Sequence, residues 1–377
     1  MSASPCPDTE THAHPGLPHP GSPHPAVAAA REVADDLLAG AAESDDPARG
    51  VRRETLRDLA GRGLVSVLVP TGWGGSGADA RVAAEVEEIL AGADAATWFV
   101  LTQHRYPQRL TTEPAPGETP GPAADRHAAA LARGDALAGI ALAHLRRPGP
   151  PAVRATPDGE GGWRLDGRSD WCTGWGLVDL VLVAAVTDDE RIVFSLIPAV
   201  ERPGLTATDP LPLAVMGGTR TVALELDGVA VAADEVAATV DASVWHGRDA
   251  GTVVDTKPAS LGLLRRVIAE TRRTGHDRDR PAAEEAADAL EAVARPLRDR
   301  AYAMAGDPDR VDERIALRGQ VAELTVRAAN ALVAARGGSA MLLASPEQRW
   351  CREASFHLVQ AQTDAVRTAQ LAAFRRS

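Results

Sequence analysis

From Lys257 onward, apolar residues recur at helical spacing in four long blocks, 258 to 273, 281 to 304, 311 to 336 and 346 to 374. Breaks fall at Gly275 to Arg280, Gly306-Asp307-Pro308 and Gly337-Gly338. Long consecutive helices with short loops have to bury their apolar stripes against one another, so these blocks predict an antiparallel four-helix bundle. Between Ala136 and that bundle the pattern changes. Leu137 to Leu145, Trp163 to Asp166, Leu180 to Val186, Ile192 to Pro198 and Thr221 to Leu226 are short runs of β-formers. Asp188-Asp189-Glu190 reads as a hairpin turn between two of them. Ahead of the strands, helical spacing predicts helices over Ala26 to Ala42, Arg53 to Arg62, Ala80 to Ala91, Ala95 to His104 and Ala123 to Arg133. The expected class is therefore α+β, mainly α: a helical domain over 26–135, a β domain over 136–240 and a helical bundle over 241–377. Residues 1–25, with His12, His14, His19 and His24 among prolines, are expected to form a disordered tail without the apolar core of a signal peptide.

Composition narrows the function classes. The net charge of -12 is spread without a basic block, which argues against nucleic-acid binding. Every long apolar run is interrupted by Arg, Asp or Pro, so no membrane span is expected. Cys6, Cys172 and Cys351 are far apart, with no CxxC pair and no His partner at zinc spacing, so neither a metal site nor a disulfide framework is expected and the setting is a reducing cytoplasm. Lys257 is the only lysine. Aromatics make up only 3% of the chain, yet the stretch Gly161 to Trp175 places two indoles, Trp171 and Trp175, and the Thr173 hydroxyl in what reads as a short polar turn between strands. An indole in a turn needs something flat and apolar to cover, and a ring cofactor is one such partner.

Three segments carry a family resemblance. Gly63-Leu64 through Pro70-Thr71-Gly72-Trp73-Gly74-Gly75-Ser76-Gly77 is similar to the "G-L-x-x-x-x-x-P-x-x-x-G-G-x-G" pattern of the acyl-CoA dehydrogenase family. Gly167-Arg168-Ser169-Asp170-Trp171-Cys172-Thr173-Gly174 resembles its "G-x-K-x-W-I-T-N" turn, followed by Leu205, Met216-Gly217 and Leu224 to Val229. Arg336-Gly337-Gly338 and then Arg349-Trp350-Cys351-Arg352-Glu353-Ala354 resemble its Gly-Gly turn and "R-x-x-R-D-A/E-A" element. The resemblance implies FAD, with Trp171 along the flavin ring, Thr173 near N5, and Gly337, Gly338 and Arg272 toward the rest of the cofactor. It implies an acyl thioester, carried by CoA or a carrier protein, between the N-terminal helices near Trp98, Gln103 and His104 and the bundle. It also implies an electron acceptor and a homodimer or homotetramer, with an adenosine site shared across the interface.

The chain departs from that pattern where the chemistry is most demanding. The family removes an α-proton with a carboxylate while hydride leaves to flavin, and the alignment places Gln360 at the base. An amide cannot accept that proton. Asp255, near the start of the first bundle helix, is an alternative base, although an Asp there is ordinarily a cap. Ala143 stands where a hydroxyl usually faces the flavin, Ala334 where a Gln precedes the Gly-Gly pair, and Arg272-Arg273-Thr274-Gly275 where an Arg-x-x-Phe-Gly element is usual. Three readings remain open: an acyl-CoA dehydrogenase-like enzyme, a flavin monooxygenase on the same fold with an aromatic and histidine pair such as Trp98 and His104, and a base-less subunit of a hetero-oligomeric dehydrogenase.

Overall fold

The structure is a computed structural model and describes residues 24–375. Cys6, His12, His14 and His19 lie outside the described residues, and so does the tail expected there. His24 and Pro25 instead begin α1 (Pro25–Gly40): His24 Nδ1 accepts from Ala26 N at 3.2 Å and Pro25 takes the first helical position.

The N-terminal unit continues with α2 (Arg53–Gly61), α3 (Ala80–Ala93), α4 (Ala95–Thr112), the two-residue β1 (Thr119–Pro120) and α5 (Pro122–Arg133). Asp94 starts α4 by accepting from Ala96 N at 3.2 Å, and its other oxygen accepts from the Thr97 hydroxyl at 2.5 Å. The helix runs two turns past the expected His104, through Pro107, to Thr112.

The middle unit contains β2 (Ala138–Ala141), β3 (Val153–Pro157), β4 (Trp163–Cys172), β5 (Leu180–Val186), β6 (Arg191–Pro198), β7 (Leu205–Ala207), β8 (Val222–Val231) and β9 (Val236–Asp241). These form one sheet in the order β1-β9-β6-β5-β3-β4-β8-β7, with β2 also paired to β5. The hairpin at 187–190 joins β5 and β6 in unbroken register from Leu180↔Pro198 to Val186↔Ile192. One expectation needs correction: the Trp-rich segment is mostly strand, because Trp163–Cys172 pairs with β8 along its length.

Then come α6 (Ala242–Thr252), α7 (Pro258–Asp277), α8 (Pro281–Met304), α9 (Val311–Arg336), α10 (Pro346–Val359) and α11 (Asp364–Phe374). Helices α7 to α10 form the bundle and α11 packs on α9. The block expected as one helix over 346–374 is two, because Ala361 adopts φ +46° and Thr363 caps a new helix. Gln360 therefore sits in a turn at the C-terminal cap of α10.

Helix α3 crosses α7 at Gly92 and Gly262, where backbones meet. A Cβ on Gly262 would lie 2.1 Å from the Glu88 carbonyl oxygen, so only glycine allows this approach. The crossing seats the N-terminal helices on the bundle, and a cavity opens between them and the sheet.

Candidate active site

The site begins with a β-bulge. On β4, Ser169 pairs with Leu224 and Cys172 with Val222, so β4 carries one extra residue. Trp171 takes up the difference at φ +66° and leaves its indole half exposed, whereas Ser169 and Cys172 are both buried. A bulge re-aims a side chain that strict alternation would have turned inward. Burial pushes the Cys172 thiol up to about 12, so it is inert.

Thr173 follows, buried. Its hydroxyl lies 3.0 Å from that of Thr221, which lies 2.9 Å from that of Thr219, which donates to the Met216 carbonyl at 2.8 Å. Each hydroxyl has one proton, so the chain runs in one direction: Thr219 donates to Met216, Thr221 to Thr219 and Thr173 to Thr221. Thr173 therefore offers only lone pairs to anything outside. Next to it, a Cβ on Gly174 would touch Val100 of α4 at 3.4 Å, which brings the end of β4 close to α4.

A cavity of about 630 Å³ lies along α4. Trp98, Tyr106, Leu90 and Ile140 give it apolar walls, and Trp245 and Thr252 of α6 close one side. Trp245 donates its indole N–H to the Tyr106 hydroxyl at 3.0 Å. The arginines around the cavity are already engaged. Arg105 pairs with Glu87, Arg146 with Asp249 at 2.7 Å, and Arg109 and Arg248 converge on buried Glu118 at 2.8 and 2.7 Å. The third lining carboxylate, Glu113, is exposed.

Where α4 meets the end of α10, Trp98 Nε1 has no hydrogen-bond partner among the described residues, and the His357 ring and the Gln360 side chain are engaged only with each other, without good geometry. The Trp98 and His357 rings are 6.1 Å apart, and the Gln360 side chain is beside His357. Burial holds His357 near 4, so its ring is neutral at pH 7.

The residues expected at the site have different surroundings. Trp98 lines the cavity. Gln103 donates to the Phe99 carbonyl of its own helix at 2.9 Å. His104 is engaged on both sides, with Nε2 donating to Leu131 O at 2.9 Å and Nδ1 accepting from Ala138 N at 3.0 Å. The histidine whose ring meets Trp98 is thus His357. Asp255 accepts from Arg314 Nε at 2.6 Å and from Gly306 N. Arg272 is held by Asp288 at 2.9 Å and Glu291 at 2.5 Å. Gly337 ends α9 at φ +84°, and Gly338 faces open space. Ala143 begins a short 3-10 turn, and the adjacent His144 is buried with Nε2 donating to Ala184 O at 3.0 Å.

Sequence reasoning missed His357, although it sits three residues before Gln360 in the segment that carries the resemblance. Its signal was position: a histidine one turn below the base position on the same helix. Tyr106, Trp245 and Glu118 gave no comparable signal, because their roles depend on contacts across the fold.

Comparisons with known proteins agree with this architecture. Residues 26–106 match the family model described as acyl-CoA dehydrogenase, N-terminal domain. A 217-residue segment, 56% of the chain, is 31% identical to dibenzothiophene monooxygenase of Rhodococcus erythropolis. That alignment covers 50% of the enzyme, so the chain spans about half the length of the curated relatives it matches. Among solved structures, TdsC from Paenibacillus sp. A11-2 in complex with FMN and indole is 19% identical with a TM-score of 0.75, covering 93% of this chain and 96% of that one. A glutaryl-CoA dehydrogenase from Mycobacterium smegmatis in complex with FADH2 is 19% identical with a TM-score of 0.73, covering 93% and 94%. At those identities the structures show a shared fold. Residues 26–106 thus resemble the N-terminal domain of acyl-CoA dehydrogenases, and the chain as a whole shares the fold of the solved acyl-CoA dehydrogenases and of TdsC.

Proposed function

We propose that this protein is a flavin-dependent monooxygenase, which uses reduced flavin and oxygen to oxidise a largely apolar substrate held in the cavity along α4. The observation that carries the reading is the amide of Gln360 at the family's base position. In the cavity lining, Glu87 and Asp249 are ion-paired and Glu113 is exposed, so no free carboxylate of the described residues lines its buried part. Oxygenation needs no carboxylate to remove a carbon-bound proton. Beside Gln360 stand the neutral His357 ring and, past it, the Trp98 indole, neither of them a carboxylate.

The residues present fit a flavin ring. Trp171 offers an exposed indole, Thr173 offers lone pairs, and the buried Trp98 indole N–H, without a partner among the described residues, would be available to a bound ring. Thr173, as an acceptor, suits the N–H of a reduced flavin better than the bare nitrogen of an oxidised one. Reduced flavin supplies two electrons; one oxygen atom enters the substrate and the other leaves as water. FAD is the family's flavin, and Arg272 would have to release Asp288 and Glu291 to grip its diphosphate. TdsC was solved with FMN, so both flavins belong in the test.

The first test is the visible spectrum of the purified protein after incubation with FAD or FMN. A protein that stays colourless with both sinks the cofactor reading. The second supplies reduced flavin, 18O2 and dibenzothiophene or indole as probes. The expected result is one 18O atom in the product. Anaerobic bleaching of bound flavin by an acyl-CoA, with no oxygenated product, overturns the reading in favour of dehydrogenation.

A further inference from the structure

The charges around the cavity balance except at one corner. Lys257 stands beside Thr252, part of the cavity wall, and donates to its carbonyl at 3.3 Å. Among the described residues it has no carboxylate within ion-pair distance. The two carboxylates that attract it, Glu87 on α3 and Asp255 before α7, are engaged by Arg105 and Arg314. Arg146 and Arg318 repel it. Arg318 on α9 is buried and also has no carboxylate among the described residues. It donates to the carbonyls of Val253 and, at 2.5 Å, Gln360, which cap the C-terminal ends of α6 and α10. The corner thus holds two unmatched cations in a chain whose net charge is -12.

Partnerless polar atoms surround the same corner. Thr256 Oγ1, next to Lys257, is buried without a hydrogen bond. Gln360, whose carbonyl Arg318 holds, sets its side chain against His357, and the contact chain continues from His357 to Trp98 on the cavity wall. Of the groups left over, the Lys257 ammonium and the Trp98 indole can only donate and the Thr256 hydroxyl can donate, while His357 and Gln360 engage each other. Native proteins satisfy nearly all their buried polar groups. An ammonium without an ion pair, next to an unsatisfied hydroxyl at the edge of the cavity, is complementary to one kind of ligand, an oxygen anion. Burial, with repulsion from Arg318, lowers Lys257 to about 8, which still leaves it cationic at pH 7.

We infer that this corner binds an anionic oxygen group, a carboxylate or phenolate, carried by a substrate whose apolar body lies among Trp98, Tyr106 and Trp245. The inference rests on the proposed function only in taking this cavity as the substrate site. A flavin phosphate has the same anionic chemistry, and the experiment separates the two sources.

The probes are 2-naphthoate and its neutral isostere 2-naphthamide, with binding to the full chain read from tryptophan emission. The wild type is expected to bind 2-naphthoate roughly ten-fold more tightly, the difference one charge-assisted contact supplies. Lys257→Gln should abolish that preference while binding 2-naphthamide as before, which also shows that the variant folds. Lys257→Arg should keep it. Equal affinities in the wild type, or a preference that survives Lys257→Gln, overturn the inference. So does a Lys257→Gln variant that loses FMN relative to riboflavin while keeping its naphthoate preference, because the anion is then the cofactor's. The visible spectrum of the same variants reports flavin binding separately. A chain that prefers naphthoate but never binds flavin refutes the proposed function and leaves this inference standing.

Discussion

His104 and His357 are one residue type with opposite circumstances. Both are buried and neutral, each lowered to about 4 by burial. His104 ties α4 to α5 and β2 through two backbone hydrogen bonds, whereas His357 has none of good geometry and faces Trp98. His104→Ala leaves the Ala138 N–H buried without its acceptor, which should cost about 1–3 kcal/mol in a denaturant titration. Flavin binding should not change, because the His104 ring is turned to the backbone. A flavin spectrum that disappears in a variant of wild-type stability contradicts this assignment. At the level of single residues the sequence singled out Trp171 and Thr173 as expected at a flavin and Trp98 as expected at the substrate. The bulge that exposes Trp171 was not readable, because it depends on pairing with β8, more than fifty residues away.

At the scale of elements, the cavity depends on how α6 and the loop before β1 are held. Glu118 accepts from Arg109 of α4 at 2.9 and 2.8 Å, from Arg248 of α6 at 2.7 Å and from Ala115 N at 2.7 Å, so one buried carboxylate fastens three segments around the cavity. Hydrogen bonds and the two guanidiniums hold this carboxylate below its usual range despite its burial. Glu118→Gln should lower stability by about 1–2 kcal/mol, at the low end for a buried pair because both arginines are about a third exposed and can rehydrate. Faster proteolysis near residues 113–118 and in α6 is the accompanying readout, and unchanged cleavage there would mean that the loop is held by other contacts. The expected helices were largely legible from their 3.6-residue period. The exceptions are instructive: β3, β7 and β9 are short and hold their place through partners, and the break at Gln360 to Thr363 falls in a polar run with no Gly or Pro to mark it.

For the whole molecule, burial of titratable groups sets the response to acid. His104, His144 and His357 all fall from the ordinary 6.5 to about 4 on folding. Between those values the unfolded chain binds protons that the folded chain refuses, so stability falls as pH drops from 6.5 toward 4. Glu353 opposes them. Burial raises it from 4.5 to about 7, so its stabilising contribution is complete below 4.5 and disappears as pH rises through 7. At pH 5 the three histidines outweigh the one carboxylate, and unfolding should take up roughly two protons from these four groups. Denaturation midpoints should fall between pH 7 and pH 5; a flat profile would show that these histidines are hydrated in the folded protein. The sequence by itself determined the order of helical, β and helical units, the family resemblance and the amide where a base would act, because periodicity and motifs are local properties of the chain. It took the packed fold to show that His357 rather than His104 meets Trp98, that Trp171 turns outward, and that Lys257 has no carboxylate within ion-pair distance among the described residues. Those outcomes depend on which side chains from separate segments satisfy or neutralise one another, and that is set by packing between elements from about fifty to more than two hundred residues apart.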